Sequence, residues 1–176
     1  MLTQMNKPYF KRVSLAILTA TAIAPVCAQD VNEKIAVLAG VSFLNAGKGY
    51  SLGVYQLNGD ESWGVGGVIE GGRIDENPDG GYYTQSNFYA ARVAVTYGVT
   101  DQIYIVPSLG VVQSTMDRSY FYAGRDNVDH HSYTGFTPAV DFIVENEGWT
   151  ASVGVSQLPL VDRSETAFSF KVGWSF

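Results

Sequence analysis

The chain has 176 residues, of which 46% are hydrophobic and 13% aromatic, and its formal net charge is −6. This acidic balance argues against nucleic acid as a partner. The single cysteine, Cys27, lies near the amino terminus in a segment that resembles a secretion leader, so disulfide and thiol chemistry are excluded from the rest of the chain.

Residues 1–28 predict a cleaved secretory signal peptide. Residues 1–12 contain three basic residues and no acid, and an apolar run follows at 13–26. Small residues end the segment, and we place the cleavage after Ala28. A lipoprotein alternative would acylate Cys27, although Val26 stands where Gly, Ala or Ser is expected. Residues 29–176 then form one domain with 8 Lys+Arg against 17 Asp+Glu. No apolar stretch in that domain is long enough for a transmembrane helix.

Eight segments of alternating apolar and polar residues follow the leader, and the connections between them differ in length. The alternation predicts strands over 34–43, 50–57, 63–73, 87–97, 102–115, 133–145, 149–157 and 167–176. Tight turns are expected at 58–60, 98–101 and 146–148, and long polar loops at 74–86, 116–132 and 158–166. The connection at 44–49 is short although it lies on the long-loop side. The pattern predicts an all-β, eight-stranded, antiparallel, up-and-down transmembrane β-barrel with its short turns in the periplasm.

Aromatic residues support this orientation. Large aromatic side chains occur at both predicted ends of the strands, where a ring with one wet edge prefers the membrane interface. The expected inner girdle contains Trp63, Tyr97, Trp149 and Trp174, and the expected outer girdle contains Phe43, Tyr50, Tyr89 and Phe168.

The same alternation predicts what fills the barrel. If the apolar residues of each strand face lipid, then Glu70, Arg92, Asp141 and Lys171 face inward, two of each sign. Eight strands enclose an interior just wide enough for side chains, so these charges are expected to form a salt-bridged plug with no open bore. We expect Tyr104 to hydrogen-bond to this network. No cofactor is predicted.

The last strand resembles the closing strand of bacterial outer-membrane β-barrels. Apolar side chains alternate with small or polar ones from Phe168 to Phe176, and the chain ends on an aromatic residue. In such barrels this end is the recognition signal for the insertion machinery, so the resemblance implies that Phe176 is an assembly signal.

With its leader, its eight strands, the turn from Tyr97 to Asp101 and its Phe176 end, the chain resembles the small outer-membrane barrels of the OmpX/Ail type. That resemblance implies a non-enzymatic cell-surface protein of the Gram-negative envelope. Members act in adhesion, complement resistance or envelope integrity through surface loops, among outer-membrane lipid and lipopolysaccharide. The predicted outer strands are shorter than those of members with a protruding sheet.

An alternative function is suggested by His130 and Ser132. Small barrels of the PagL type deacylate lipid A with a His-x-Ser pair followed by Asn, and here Tyr133 replaces the Asn. A serine nucleophile needs an adjacent base and an orienting acid, for which Asp129 is the nearest candidate in sequence. The runner-up hypothesis is therefore a lipid A-modifying outer-membrane hydrolase. The alternative interpretation is that His130 and Ser132 belong to the polar end of a surface loop and have no catalytic role.

The two central outer connections contain further candidates. Asp75, Asn77 and Asp79 match the opening of a calcium loop, although Ser86 occupies the position of the bidentate Glu. Aromatic and arginine side chains anchor protein interfaces. An extracellular partner is therefore expected to contact the third long loop at Tyr120, Phe121, Tyr122 and Arg125.

Overall fold

The computed structural model describes residues 33–45, 47–59, 61–76, 82–122 and 125–176, with the side chains of 76, 82, 83, 120–122 and 125–127 excepted. The predicted signal peptide, 1–28, therefore lies outside the described residues, as do Asn77 and Asp79. Within the described ranges, no helix is long and apolar enough to cross a membrane.

Eight antiparallel strands close into one barrel, in which each strand pairs with its neighbours in the sequence and β8 pairs with β1. The predicted fold class is confirmed. The strands are β1 (Lys34–Leu44), β2 (Gly47–Leu57), β3 (Trp63–Glu76), β4 (Tyr82–Gly98), β5 (Ile103–Tyr122), β6 (Arg125–Asn146), β7 (Trp149–Pro159) and β8 (Ser164–Ser175).

All three predicted long outer loops are wrong, because most of their residues belong to strands. In the segment 158–166, Pro159 of β7 lies opposite Ser164 of β8. The segment 74–86 contains the paired ends of β3 and β4, with Ile74 opposite Ser86. The segment 116–132 is a β-hairpin in which Met116 lies opposite His131 and Tyr122 opposite Arg125. Cross-strand hydrogen bonds satisfy the backbone whether the side chains are polar or apolar, so strands continue where the apolar alternation stops. The outer strands are long, contrary to expectation.

The central strands extend past β7 on the side opposite the short turns. β7 pairs with β6 only from Ala139 to Asn146, whereas β5 pairs with β6 along its whole length, up to Tyr122. We call the segments 116–122 and 125–132 the outer hairpin. Side chains on both faces of β6 are exposed from Val128 to Thr134, so the hairpin projects beyond the barrel wall. Along this stretch of β6, the described residues contribute no second ladder partner.

The barrel wall alternates strictly between an outward and an inward set of side chains. Large apolar side chains face outward, and Val93 and Phe136 are 75% and 76% exposed. The inward set contains two apolar clusters. One, toward the short turns, includes Leu38, Tyr55 and Ile143, and the other, toward the outer end, includes Phe88 and Leu158. Along β3 and β4 the predicted lumen charges Glu70 and Arg92 fall between residues of these two clusters.

Aromatic contacts gather at the end with the short turns. The rings of Trp63 and Tyr97 lie 4.7 Å apart between centroids, on paired positions of β3 and β4. Trp149 and Trp174 meet edge to face, with centroids 5.0 Å apart. These four residues are the ones expected in the inner girdle, and they form two ring pairs at one end of the barrel.

Candidate functional site

The interior of the barrel contains a fully buried ion pair between adjacent strands. Glu70 on β3 and Arg92 on β4 are each 5% exposed, and Arg92 Nη2 donates to Glu70 Oε2 at 2.6 Å. Arg92 Nη1 also donates to Thr137 Oγ1 on β6 at 3.4 Å, past Gly110 of the intervening β5, which lies opposite both residues. The arginine therefore contacts both β3 and β6 along the inner wall of the barrel.

A second buried pair joins β8 to β6. Lys171 Nζ donates to Asp141 Oδ1, and both side chains are almost completely removed from solvent. The hydroxyls of Ser152 and Ser169 lie 3.4 Å from the same carboxylate oxygen and donate to it. A Cβ at Gly154 would collide with this carboxylate, so the glycine provides the room that Asp141 occupies.

Tyr55, and not Tyr104, is the aromatic neighbour of these charges. The Tyr104 hydroxyl donates to the Asp101 carbonyl oxygen at 3.0 Å, near the β4–β5 turn. Tyr55 is 0% exposed and lies close enough to Asp141, Arg92 and Glu70 to interact with them electrostatically. Its ring covers Gly53 on the same face of β2. The alternation of side chains along β2 places Tyr55 on the inward face, and this was the sequence signal for its position.

The four lumen charges form two ion pairs, so their formal charges sum to zero. Two acids and two bases are paired at the centre of the barrel, with an apolar cluster on each side. A buried ion pair is costly to break, because either partner alone would be an uncompensated charge in a low-dielectric interior. The arrangement therefore favours a structural role over a path for ions.

A third ion pair, which the sequence did not suggest, closes the rim beside the carboxy terminus. Lys34 Nζ donates to Glu145 Oε2 at 2.7 Å, and Glu145 Oε1 accepts the Gly148 N–H at 2.9 Å and the Ser175 hydroxyl at 3.1 Å. One carboxylate thus ties together β1, the β6–β7 turn and β8. The only signal in the sequence was that Glu145 lies one residue before the predicted turn at 146–148.

Phe176 lies at the same seam. Its N–H donates to the Ile35 carbonyl oxygen at 3.1 Å, and the Ile35 N–H donates to the Phe176 carbonyl oxygen at 2.9 Å. The ring points outward and is 73% exposed. The last residue of the chain therefore completes both the outward apolar row and the junction between β8 and β1.

The outer hairpin places His130 beside an acid that sequence reasoning missed. His130 Nδ1 lies 2.6 Å from Asp117 Oδ1, and the two residues are directly opposite in the β5–β6 register. Asp129, the expected orienting acid, is adjacent in the strand and faces the other side. Ser132 shares the outward face of His130. The sheet therefore brings Asp117, His130 and Ser132 to one surface.

The remaining candidates are placed only in part. Tyr120, Phe121, Tyr122 and Arg125 lie at the tip of the outer hairpin, where their backbones are paired but their side chains are outside the description. Arg73 Nε donates to both carboxylate oxygens of Asp75, at 2.7 Å and 2.9 Å, so this candidate ligand is engaged by a cation of the same strand. Among the described residues, no group of three or more His, Cys, Asp or Glu could hold a metal ion.

No family model matches the chain, and no curated protein does. Several solved structures are similar to the chain. Ail of Yersinia pestis is 14% identical, with a TM-score of 0.69 over 83% of this chain and 100% of that one. Ail in a phospholipid bilayer nanodisc is 14% identical, with a TM-score of 0.58 over 81% of this chain and 99% of that one. OprG of Pseudomonas aeruginosa is 13% identical, with a TM-score of 0.50 over 85% of this chain and 98% of that one. The chain has the fold of the small eight-stranded outer-membrane barrels of the OmpX/Ail type.

Proposed function

We propose that the protein is exported through its leader, residues 1–28, and spans the outer membrane as a closed barrel. The outward face of the barrel supports the proposed membrane location. Its side chains are apolar over the height of the barrel, and exposed phenylalanine and tryptophan rings lie toward both ends. An outward apolar band with aromatic girdles around a polar, filled interior is typical of transmembrane barrels. The insertion machinery would recognise the Phe176 end.

The barrel itself is a scaffold without a channel. The lumen charges are paired, and apolar side chains cover them toward both ends. Ions and solutes would have to break a buried salt bridge to pass. The functional surface of the protein therefore lies outside the barrel.

The protein acts through the sheet that projects from the barrel, in adhesion to an extracellular partner or in envelope integrity. The observation that carries this proposal is the length of β5 and β6, which continue as the outer hairpin beyond the last β6–β7 pair. Such an exposed strand edge presents main-chain donors and acceptors to another chain. The partner is expected to contact Tyr120, Phe121, Tyr122 and Arg125 at the hairpin tip.

Two protease sites test this topology in intact cells. A cleavage sequence inserted at 123–124, between β5 and β6, should be cut by protease added outside. The same sequence inserted in the β4–β5 turn, 99–102, should be cut only after the outer membrane is permeabilised. Cleavage of the turn site in intact cells, with the hairpin site protected, would reverse the orientation and remove the basis of the surface role.

A second candidate function, lipid A hydrolysis, is favoured by the Asp117–His130 contact. Asp117 holds one ring nitrogen of His130. The other ring nitrogen would have to reach Ser132, two residues along on the same face of β6, to take its proton. The serine oxygen would then attack an ester carbonyl, the alcohol would leave with that proton, and water would release the fatty acid from Ser132.

Mass spectra of lipid A decide between the two functions. Cells producing the native protein are compared with cells producing Ser132→Ala and with cells producing Thr115→Ala, in which the residue opposite Ser132 is changed. The scaffold function predicts identical spectra in all three. Loss of an acyl chain with the native protein and Thr115→Ala, but not with Ser132→Ala, would make the protein a hydrolase.

A further inference from the structure

The carboxy-terminal end of β8 takes part in two junctions at the end of the barrel with the short turns. Ser175 lies opposite Ala36 in the β8–β1 ladder, and its N–H donates to the Gly148 carbonyl oxygen in the β6–β7 turn at 2.7 Å. Its hydroxyl donates to Glu145 Oε1 at 3.1 Å. The position of the chain end therefore depends on the β6–β7 turn as well as on β1.

The three donors to the Glu145 carboxylate differ greatly in their distance along the chain. Gly148 is 3 residues away, Ser175 is 30 and Lys34 is 111. A contact between distant residues carries the entropy cost of closing a loop, whereas a contact within a turn forms with that turn. The Gly148 N–H is therefore the first donor to reach Glu145, and the other two arrive only when β8 meets β1.

The backbone of the β6–β7 turn suits this early contact. Glu147 and Gly148 both have positive φ, 49° and 92°, which is the pattern of the tight hairpin turns that match the twist of the strands. A Cβ at Gly148 would lie 2.6 Å from the Trp174 ring, so the same glycine lets β8 pack closely on the turn. The turn therefore both presents the Glu145 carboxylate and receives the end of β8.

Burial makes the carboxylate depend on all of its donors. The Glu145 side chain is 2% exposed, whereas that of Lys34 is 46% exposed. A buried carboxylate is costly unless it is paired and hydrogen-bonded. Before β8 and β1 meet, water can solvate Glu145. When they meet, that water is lost, and Lys34 and Ser175 must replace it in the same step.

We propose that Glu145 is a positioning residue for barrel closure, which couples the docking of β8 onto β1 to the formed β6–β7 turn. The turn presents the carboxylate, and Lys34 and Ser175 bind it from the two strands that close the barrel. The adjacent Phe176 is thereby held in register with Ile35. This role concerns folding and is independent of any partner of the outer hairpin.

The rate of closure tests the proposal. The mature chain is refolded from urea into lipid vesicles, and the closed barrel is measured as the fast-migrating form on unheated gels. Loss of one hydrogen bond to a charged group, already made in the transition state, corresponds to about tenfold in rate, so Glu145→Gln should close about tenfold more slowly. Its rate of unfolding should change by less than about twofold. A variant that closes at the native rate and only unfolds faster would overturn the proposal, because Glu145 would then act only in the finished barrel.

Glu165 provides a matched control at the opposite end of β8. Its side chain is 8% exposed, and its carboxylate lies 2.6 Å from Nε of Arg163, a partner only two residues away. Glu165→Gln therefore removes a buried, paired carboxylate without changing the end of the barrel with the short turns. We expect its rate of closure to stay within about twofold of the native rate. Equal slowing by Glu145→Gln and Glu165→Gln would overturn the assignment to Glu145.

Variants of Lys34 keep the test decisive if Glu145→Gln does not fold. Because Lys34 is only partly buried, replacing it leaves no cavity in the core. Lys34→Met should slow closure, whereas Lys34→Arg, which keeps a positive charge and a donor for the carboxylate, should close at the native rate. Closure of Lys34→Met at the native rate would overturn the proposal, whatever the result with Glu145→Gln.

Discussion

The clearest prediction concerns the buried pair between Arg92 and Glu70. Their side chains are 3% and 1% exposed, and the charged atoms lie 2.6 Å apart. Arg92→Met keeps most of the side-chain volume but leaves the Glu70 carboxylate as an uncompensated charge. Breaking a buried pair in this way costs about 3–5 kcal/mol. That is a large share of the roughly 5–15 kcal/mol by which folded proteins are stable. The change in the free energy of unfolding is measured by urea unfolding in lipid vesicles, followed by tryptophan fluorescence.

The control removes the charge of Glu70, the partner of Arg92. In the double variant Arg92→Met/Glu70→Gln no charge is left unpaired, so we expect it to recover about 2 kcal/mol or more of the loss. Arg73→Met removes an exposed arginine whose pair with Asp75 is 51% and 48% exposed, and it should cost less than about 1 kcal/mol. The reasoning is refuted if Arg92→Met costs no more than Arg73→Met. It is also refuted if Glu70→Gln adds its own loss to that of Arg92→Met.

Three further predictions address assembly, permeability and recognition. Deleting Phe176 removes both backbone hydrogen bonds to Ile35 and the last outward ring, so the chain should remain unassembled in the periplasm; normal heat-modifiable protein in outer-membrane fractions would contradict this. In planar bilayers the native protein should carry negligible current, and a stable conductance of porin size would be incompatible with the paired lumen. Replacing 117–132 with a short Gly-Ser connector should abolish cell-surface binding of an identified partner but preserve assembly, and full binding by that variant would exclude the outer hairpin as the binding surface.

The barrel and the inward position of its charges follow from alternation alone. Side chains of a strand alternate with a period of two, so assigning Val93 and Phe142 to the outward face also assigns Arg92 and Asp141 to the lumen. The identity of their neighbours does not follow. Depth in a barrel depends on the stagger between strands. Tyr104 faces inward as expected but lies near a turn, and the equally inward Tyr55 reaches the charges.

The outer hairpin shows where sequence patterning stops being informative. Residues 116–132 read as a loop because apolar and polar residues no longer alternate there. Once a strand leaves the bilayer, water contacts both of its faces, and only the cross-strand hydrogen bonds specify its structure. The contact between Asp117 and His130 could not be predicted from the sequence for the same reason. A contact between opposite strands becomes predictable only when the register of the hairpin is known.

The placement of residues along β3 to β6 limits where recognition can occur. Over the height of the barrel, each position serves either the outward apolar surface or the lumen, and changing it costs stability on one side or the other. Beyond that height, Val128 to Thr134 are exposed on both faces, so their side chains are free of both requirements. Partner recognition on the outer hairpin would therefore use a continuation of the barrel sheet, and the ion pairs inside the barrel stabilise that sheet.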